Sequence, residues 1–202
     1  MAASGLVLFG FVVAHMAGNL KVFEGERAFD GYAAWLRRIG APLLGPSWFL
    51  WGLRVLLVAA VAAHITAAVA LARRARKARP VGYRHRPDVA GAYAARTMRW
   101  GGVILALFVV YHVLDLTAGV AHAGFRAGHP YRNVVGDFRI WYVTLAYVVA
   151  VAALGLHVRH GVYSAVRSLG GRGSRVAGTV AALVITFGFL AVPAGVVAGV
   201  VR

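Results

Sequence analysis

The chain has 202 residues, of which 60% are hydrophobic, and it combines a formal net charge of +16 with no cysteine. Its mean hydropathy of +0.72 excludes a soluble globular domain, since the apolar share of such domains is normally about 45–50%. The lack of cysteine excludes disulfides, thiolate ligands and cysteine-bound iron–sulfur clusters, so any metal must be held by nitrogen or oxygen.

Five apolar stretches follow one another along the chain, each near the ~20 residues that span a bilayer core. They cover residues 1–20, 47–72, 100–121, 140–162 and 176–201. Their apolar residues occupy every face, without the alternation at every second residue that is typical of membrane β-barrels. We therefore predict an all-α fold with a single transmembrane domain over residues 1–202, an integral membrane bundle of five transmembrane helices.

The segment between the first two stretches predicts local structure of its own. Apolar and aromatic residues recur there at helical spacing over residues 26–38, which predicts a short amphipathic helix on the outer membrane surface. Ser47 is a candidate N-terminal cap for the second membrane helix.

Basic side chains are concentrated in two of the loops between the apolar stretches. Residues 73–99 carry nine of the 22 Lys and Arg side chains, and the loop after residue 159 contains basic residues and no acid. Because Lys and Arg are enriched in cytoplasmic loops, we predict that the N-terminus is cytoplasmic and the C-terminus lies outside. Topology and contact with anionic membrane lipid explain the net charge, so no nucleic acid partner is predicted.

Four of the five stretches carry a histidine, at a depth that alternates along the chain. With a rise of ~1.5 Å per residue, His15 and His112 fall in the outer half of the membrane, and His64 and His157 fall in the inner half. Imidazole is costly in hydrocarbon, so intramembrane histidines indicate a functional site. We predict two pairs, His15 with His112 and His64 with His157.

Two imidazoles facing each other across an apolar interior provide the axial ligands of a six-coordinate haem iron. The pairs therefore predict two haem groups, of the b type, because the chain has no cysteine for thioether attachment. A zinc site is disfavoured, since zinc requires three or four ligands at one point and these histidines lie at two depths. The loop histidines His85, His122 and His129 are predicted to be solvated.

Four further side chains are candidates for contacts near the haem groups. Arg54, about 15 Å above His64 along its helix, is a candidate propionate partner of the outer haem, with snorkelling to the headgroups as the alternative. Arg99 and His160 are the corresponding candidates for the inner haem. Asp115 is a candidate for a hydrogen bond near the outer haem or for a proton path to a quinone.

These residues lie in motifs that resemble the single-subunit dihaem cytochrome b anchor, of the b558 type, of succinate dehydrogenase and fumarate reductase in bacteria that use menaquinone. The likeness covers nearly the whole chain, and its most specific parts are residues 5–19, 23–25 with 32–36, 78–83, 111–112 and 155–164. The resemblance implies that the haem ligands are His15, His64, His112 and His157. In the last motif the family's ligand precedes a glycine by four residues, which selects His157 over His160.

The resemblance also implies the other parts of a respiratory complex. A flavoprotein subunit with covalent FAD and a subunit with iron–sulfur clusters would dock on the cytoplasmic face and contain the dicarboxylate chemistry. This chain would then be a non-flavin subunit of a succinate dehydrogenase, without catalytic residues of its own. Electrons would pass through the inner and then the outer haem to menaquinone, in the inner (plasma) membrane of a bacterium. An oligomeric complex is compatible with the resemblance, and no residue of this chain is assigned to the quinone site.

Two other functions remain open at the level of the sequence. A b-type cytochrome anchor of a hydrogenase, formate dehydrogenase or nitrate reductase would have similar helices and bis-histidine haems, but these anchors lack the motifs above. A transporter or proton channel would use the histidines as a relay and would be colourless, although the inverted repeats and broken helices typical of transporters are not visible in the sequence.

Overall fold

Long apolar helices make up most of the fold. The computed structural model describes residues 1–78 and 97–202 in full and the backbone of residues 89–96. Over these residues the chain forms seven α-helices and no β-strand: α1 (Ala2–Leu20), α2 (Glu26–Arg38), α3 (Trp48–Lys77), α4 (Val89–His112), α5 (Pro130–Phe138), α6 (Trp141–Ser168) and α7 (Arg175–Val197). A 3₁₀ turn, Lys21–Glu24, follows α1, and a π-helical turn, Val113–Thr117, continues α4.

Five helical segments are long and apolar enough to cross a membrane. They are Ala2–Glu24, Trp48–Lys77, Thr97–Thr117, Trp141–Ser168 and Arg175–Val197. Each contains one of the five apolar stretches or most of it, which confirms the predicted all-α, five-span architecture. The chain is therefore a multi-pass membrane protein.

Helices α3 and α6 extend beyond residues 72 and 162, where hydropathy predicts their ends. Hydropathy falls where the chain leaves the hydrocarbon, but backbone hydrogen bonding continues through the basic residues that follow. The last turn of α3 contains Arg74, Arg76 and Lys77, whose charges interact favourably with the negative end of the helix dipole. Helix ends and membrane boundaries therefore differ in this protein.

Two short amphipathic helices, α2 and α5, cover one end of the bundle. The helix predicted over residues 26–38 is present as α2, whereas α5 has no counterpart among the predicted elements. An ion pair of 2.7 Å between Arg132 Nε and Glu26 Oε1 joins the two helices. The backbone N–H of Tyr131 also donates to Asp30 Oδ1 at 2.9 Å. We call this part of the molecule the α2/α5 end.

Ser47 does not cap α3, so this prediction was wrong. Its backbone has a φ of 68°, in the left-handed region, and its side chain makes no hydrogen bond to the first turn of α3. A capping side chain needs extended backbone at this position. The backbone N–H of Ser47 instead donates to the carbonyl oxygen of Arg37 at 2.6 Å, which ties the start of α3 to α2.

Helix α6 lies at the centre of the bundle and packs against α7, α4 and α1. It approaches α7 closely at Gly178, where an added Cβ would lie 2.5 Å from the carbonyl oxygen of Arg159. Small residues of this kind allow membrane helices to pack tightly. By contrast, α3 packs mainly against α1, and Ala60 is its one buried residue.

Gly178→Ala should destabilise the bundle, because the new methyl group would collide with the backbone of α6. We expect a loss of about 1–3 kcal/mol, the range for overpacking of a close contact, measured as a lower melting temperature in detergent. Gly52→Ala is the matched control, since a Cβ there would meet nothing within 4 Å. Equal melting temperatures for the two variants would contradict this description of the contact between α6 and α7.

Candidate functional site

Four histidines from four different helices meet as two pairs inside the bundle. The ring centres of His15 on α1 and His112 on α4 are 5.8 Å apart, with an angle of 79° between the rings. The ring centres of His64 on α3 and His157 on α6 are 6.2 Å apart, with an angle of 61°. The structure thus brings together the partners that depth along each helix predicts.

The two pairs lie at two levels of the bundle. A Cβ on Gly5 of α1 would lie 3.3 Å from the ring of His64, so the His64–His157 pair is level with the start of α1. His15 follows ten residues later in α1, which corresponds to ~15 Å along the helix axis. The separation is therefore about half of a bilayer's hydrocarbon core, whose thickness is ~30 Å.

The helices that present each pair are held apart. Among the described residues, α1 and α4 make at most marginal backbone contact, and the same holds for α3 and α6. The imidazole rings of each pair approach each other between these helices, with ring centres 5.8 and 6.2 Å apart. Interiors of folded proteins are close-packed, so gaps bordered by apolar helices and bridged by facing imidazoles are places where a flat cofactor would fit.

A hydroxyl group lies beside one ring nitrogen of His112 and bears on its tautomer. Tyr147 Oη lies 3.1 Å from His112 Nδ1 and donates its proton to Asp115 Oδ2 at 3.2 Å. Because the hydroxyl proton is committed to Asp115, Nδ1 of His112 must be the donor to Tyr147. The other ring nitrogen, Nε2, then carries a lone pair, which is the state that a metal ligand requires.

Ser4 has the same relationship to His64. Its Oγ donates to the carbonyl oxygen of Met1 at 2.9 Å and lies 3.3 Å from His64 Nδ1. The Nδ1 atom of His64 is therefore the donor, and its Nε2 is left with a lone pair. In each pair, one histidine is thus oriented by a hydroxyl group on a neighbouring helix.

The remaining members of the pairs lie among apolar groups. His15 stacks on Phe11 at 5.3 Å and lies 5.9 Å from Phe189. The Nδ1 atom of His157 and the Nε2 atom of His160 are buried and have no hydrogen-bond partner in the described part of the chain. A buried polar atom without a partner costs roughly 1–3 kcal/mol, so these nitrogens favour a bound group.

The three candidate propionate contacts lie at the expected levels. Helices α1 and α3 run antiparallel, so Arg54, ten residues before His64, lies level with His15. Its exposed guanidinium group is 4.7 Å from the centre of the Trp51 ring. Arg99 is exposed and lies three residues before Gly102. A Cβ added at Gly102 would lie 4.0 Å from the ring of His157. His160 is half-buried on α6. Their contacts with a haem stay predictions.

The side chain of His122 is buried, so the prediction that it is solvated was wrong. Its side chain is only 7% exposed, and its Nδ1 lies 2.8 Å from Asp137 Oδ1 and 3.6 Å from Asp115 Oδ1. The π-helical turn holds Asp115 and α5 holds Asp137; neither element is predicted by apolar periodicity. His129 is half-exposed as expected, and His85 lies outside the described residues.

One sequence signal could have indicated this cluster. Asp115 stands inside an apolar stretch, where a carboxylate needs a partner, and His122 and Asp137 are nearby titratable residues of the following loop. The two carboxylates are almost fully buried. Burial, and then the charge of Asp115, raise the pKa of Asp137 to about 7.

Comparison of the chain with protein-family models, with curated proteins and with solved structures gives no match. The functional conclusion therefore depends on the chemistry of the site itself.

Stability should fall as the pH rises through the titration of Asp137. The pKa of this carboxyl is 3.8 ordinarily and about 7 in the folded chain. Between about pH 4 and pH 7 the folded chain holds a proton that the unfolded chain has released, so the free energy of unfolding decreases across this window. We expect the melting temperature to fall with rising pH in buffers that contain a metal chelator.

Asp137→Asn should flatten this dependence of melting temperature on pH, and the exposed control Glu24→Gln should keep it. An unchanged slope in Asp137→Asn would contradict this assignment.

Proposed function

We propose that the chain is the membrane anchor and electron-transfer subunit of a succinate:menaquinone oxidoreductase, located in the inner (plasma) membrane of a bacterium. The observation that carries the proposal is the presence of two facing histidine pairs at two levels of one apolar bundle. In this proposal His15 and His112 hold one haem b, and His64 and His157 hold the other. FAD, iron–sulfur clusters and the dicarboxylate chemistry belong to partner subunits.

The residues of each pair suit a haem iron. The ring centres are 5.8 Å apart in one pair and 6.2 Å apart in the other. Each distance leaves room for two metal–imidazole bonds of about 2 Å, one to each ring. The chain has no cysteine, which favours non-covalent b-type haem. When bound, each haem would supply a one-electron carrier between the iron–sulfur subunit and menaquinone.

The chain's own residues would orient the ligands and exclude water. Tyr147 and Ser4 accept hydrogen bonds from the Nδ1 atoms of His112 and His64, and so direct their Nε2 atoms away from the hydroxyl groups. Phe11 and Phe108 stack on the imidazoles of His15 and His112 at 5.3 and 5.8 Å. Apolar surroundings and such hydrogen bonds are the groups by which a protein tunes haem.

The end of the bundle opposite to the α2/α5 end is the proposed docking face for the flavoprotein and iron–sulfur subunits. Helix α3 starts beside α2 and ends in basic residues at the far end, and α6 likewise runs from α5 to its own basic last turn. Basic residues at cytoplasmic helix ends follow the positive-inside rule and contact anionic lipid. This face therefore supports the proposed orientation, in which the N-terminus is cytoplasmic.

Replacing one ligand should remove one haem and leave the other. We expect His64→Ala to lower the haem content from two per chain to one, and His15→Ala to do the same while removing the other haem. Pyridine haemochrome analysis would measure the haem content per chain. A redox titration would show which of the two haem potentials is lost. The half-exposed His129 provides a matched control, since His129→Ala should keep both haems. Two haems in His64→Ala would contradict the ligand assignment.

Removal of the orienting hydroxyl groups should act on one site at a time. Tyr147→Phe should weaken haem binding at the His15–His112 pair, and Ser4→Ala should weaken it at the His64–His157 pair. Loss of a group that orients a metal-binding histidine typically lowers affinity about 10- to 100-fold. The rate of haem transfer to excess apomyoglobin would measure this, with each variant as the control for the other. Equal effects of both variants on both haems would contradict the site-specific hydrogen bonds.

The partner subunits distinguish this proposal from its alternatives. Purification of the chain from native membranes should recover a flavoprotein that oxidises succinate. A hydrogenase, a formate dehydrogenase or a nitrate reductase in its place would support another b-type anchor, and a colourless protein without partners would support a histidine relay.

A further inference from the structure

Asp115, His122 and Asp137 form a second cluster of metal-ligating side chains, separate from the two histidine pairs. One ligand atom from each residue can be chosen so that all three lie within 4.8 Å of one another. They come from the π-helical turn after α4, from the loop that follows it, and from α5. The cluster therefore lies at the α2/α5 end of the bundle.

Two atoms of this cluster lack hydrogen-bond partners. Nδ1 of His122 and Oδ2 of Asp137 are buried and unpartnered in the described part of the chain. Nδ1 of His122 lies 2.8 Å from Asp137 Oδ1, but the alignment is not that of a hydrogen bond. Two ligand atoms that lie close together without a hydrogen bond between them are the arrangement expected of side chains that bind the same metal ion.

The charges of the cluster also favour a cation. Asp115 and Asp137 are 1% and 2% exposed. The imidazole of His122 makes ion-pair contacts with both carboxylates. Once Asp137 is ionised, a single imidazole cannot neutralise both carboxylates. Buried charges are normally paired or bound to a metal, and a divalent cation would balance both.

The cluster is accessible from outside the bundle. It forms part of the wall of a cavity of about 850 Å³, whose other lining residues include Tyr111, Arg126 and Tyr142. A cavity of this size provides an entry path for an ion and room for a water molecule in a fourth coordination position.

We propose that Asp115, His122 and Asp137 bind a divalent transition-metal ion of the zinc class. One imidazole nitrogen and two carboxylate oxygens are ligands that zinc accepts, and zinc sites with three protein ligands complete a tetrahedron with water. Mg²⁺ and Ca²⁺ favour oxygen-only ligand sets, which disfavours both ions here. This site does not depend on the proposed function of the histidine pairs.

A neighbouring group on the same end of the bundle is a useful comparison. Glu26, Asp30 and His129 also bring their ligand atoms close together. Their polar atoms already have partners, however, because Glu26 pairs with Arg132 and Asp30 accepts the N–H of Tyr131. The group is also more exposed, so it offers a control of similar composition.

Zinc titration of the full-length chain in detergent tests the proposal. The protein would first be treated with a chelator, and binding would be followed by competition with a fluorescent zinc indicator. We expect one high-affinity Zn²⁺ per chain, weakened at least about tenfold in His122→Ala and in Asp137→Asn, and unchanged in His129→Ala. Absence of saturable binding, or equal affinity in His122→Ala, would overturn the proposal.

A second measurement covers the case in which the variants do not fold, as judged by size-exclusion chromatography and melting temperature. X-ray absorption at the zinc edge of the unaltered protein should show nitrogen and oxygen ligands with a single imidazole. A spectrum with two or more imidazoles would place the zinc elsewhere and overturn the proposal. Neither measurement needs haem, so His15→Ala and His64→Ala should keep full zinc binding even where they lose a haem.

Discussion

An imidazole ring that enters an apolar interior needs a partner for each of its nitrogen atoms, because an unpaired polar group there costs roughly 1–3 kcal/mol. This requirement organises the centre of the bundle. His112 and His64 each satisfy one nitrogen through a hydroxyl group, while Nδ1 of His157 has no partner in the described chain. The two rings of each pair lie between their helices, with centres 5.8 and 6.2 Å apart. A bound group between the rings would satisfy the nitrogens that remain, which is why the two pairs carry the functional proposal.

The hydrogen bonds that orient His112 extend toward the surface of the bundle. From His112 they pass through Tyr147 to Asp115, and contacts of 3.6 and 2.8 Å then connect Asp115 to His122 and His122 to Asp137. The π-helical turn makes this possible, because its backbone bond from Ala118 N–H to the carbonyl oxygen of Val113 widens the helix where Asp115 faces α6. Turns of this kind are frequent at functional sites. The polar chain therefore links an intramembrane histidine to a cavity at the α2/α5 end.

Apolar periodicity and residue depth were sufficient to predict most of the architecture. The five spans, the surface helix over residues 26–38 and the partners within each histidine pair follow from signals that repeat over whole helices. The cap at Ser47 and the solvation of His122 were predicted wrongly, because both depend on tertiary contacts. His122 is buried by α5, a helix of nine residues, and a single short helix carries too few repeats to be recognised. The extensions of α3 and α6 were missed for a different reason, since hydropathy reports the membrane boundary and not the end of backbone hydrogen bonding.

Haem content of the purified chain is the most direct test of the central claim, that two histidine pairs hold two metal centres at two levels. A pyridine haemochrome assay combined with protein quantification would give the number of haems per chain, and the reduced-minus-oxidised spectrum would give their type. The account predicts two b-type haems with low-spin, bis-histidine spectra. A colourless protein, or one with a single haem at saturation, would contradict it.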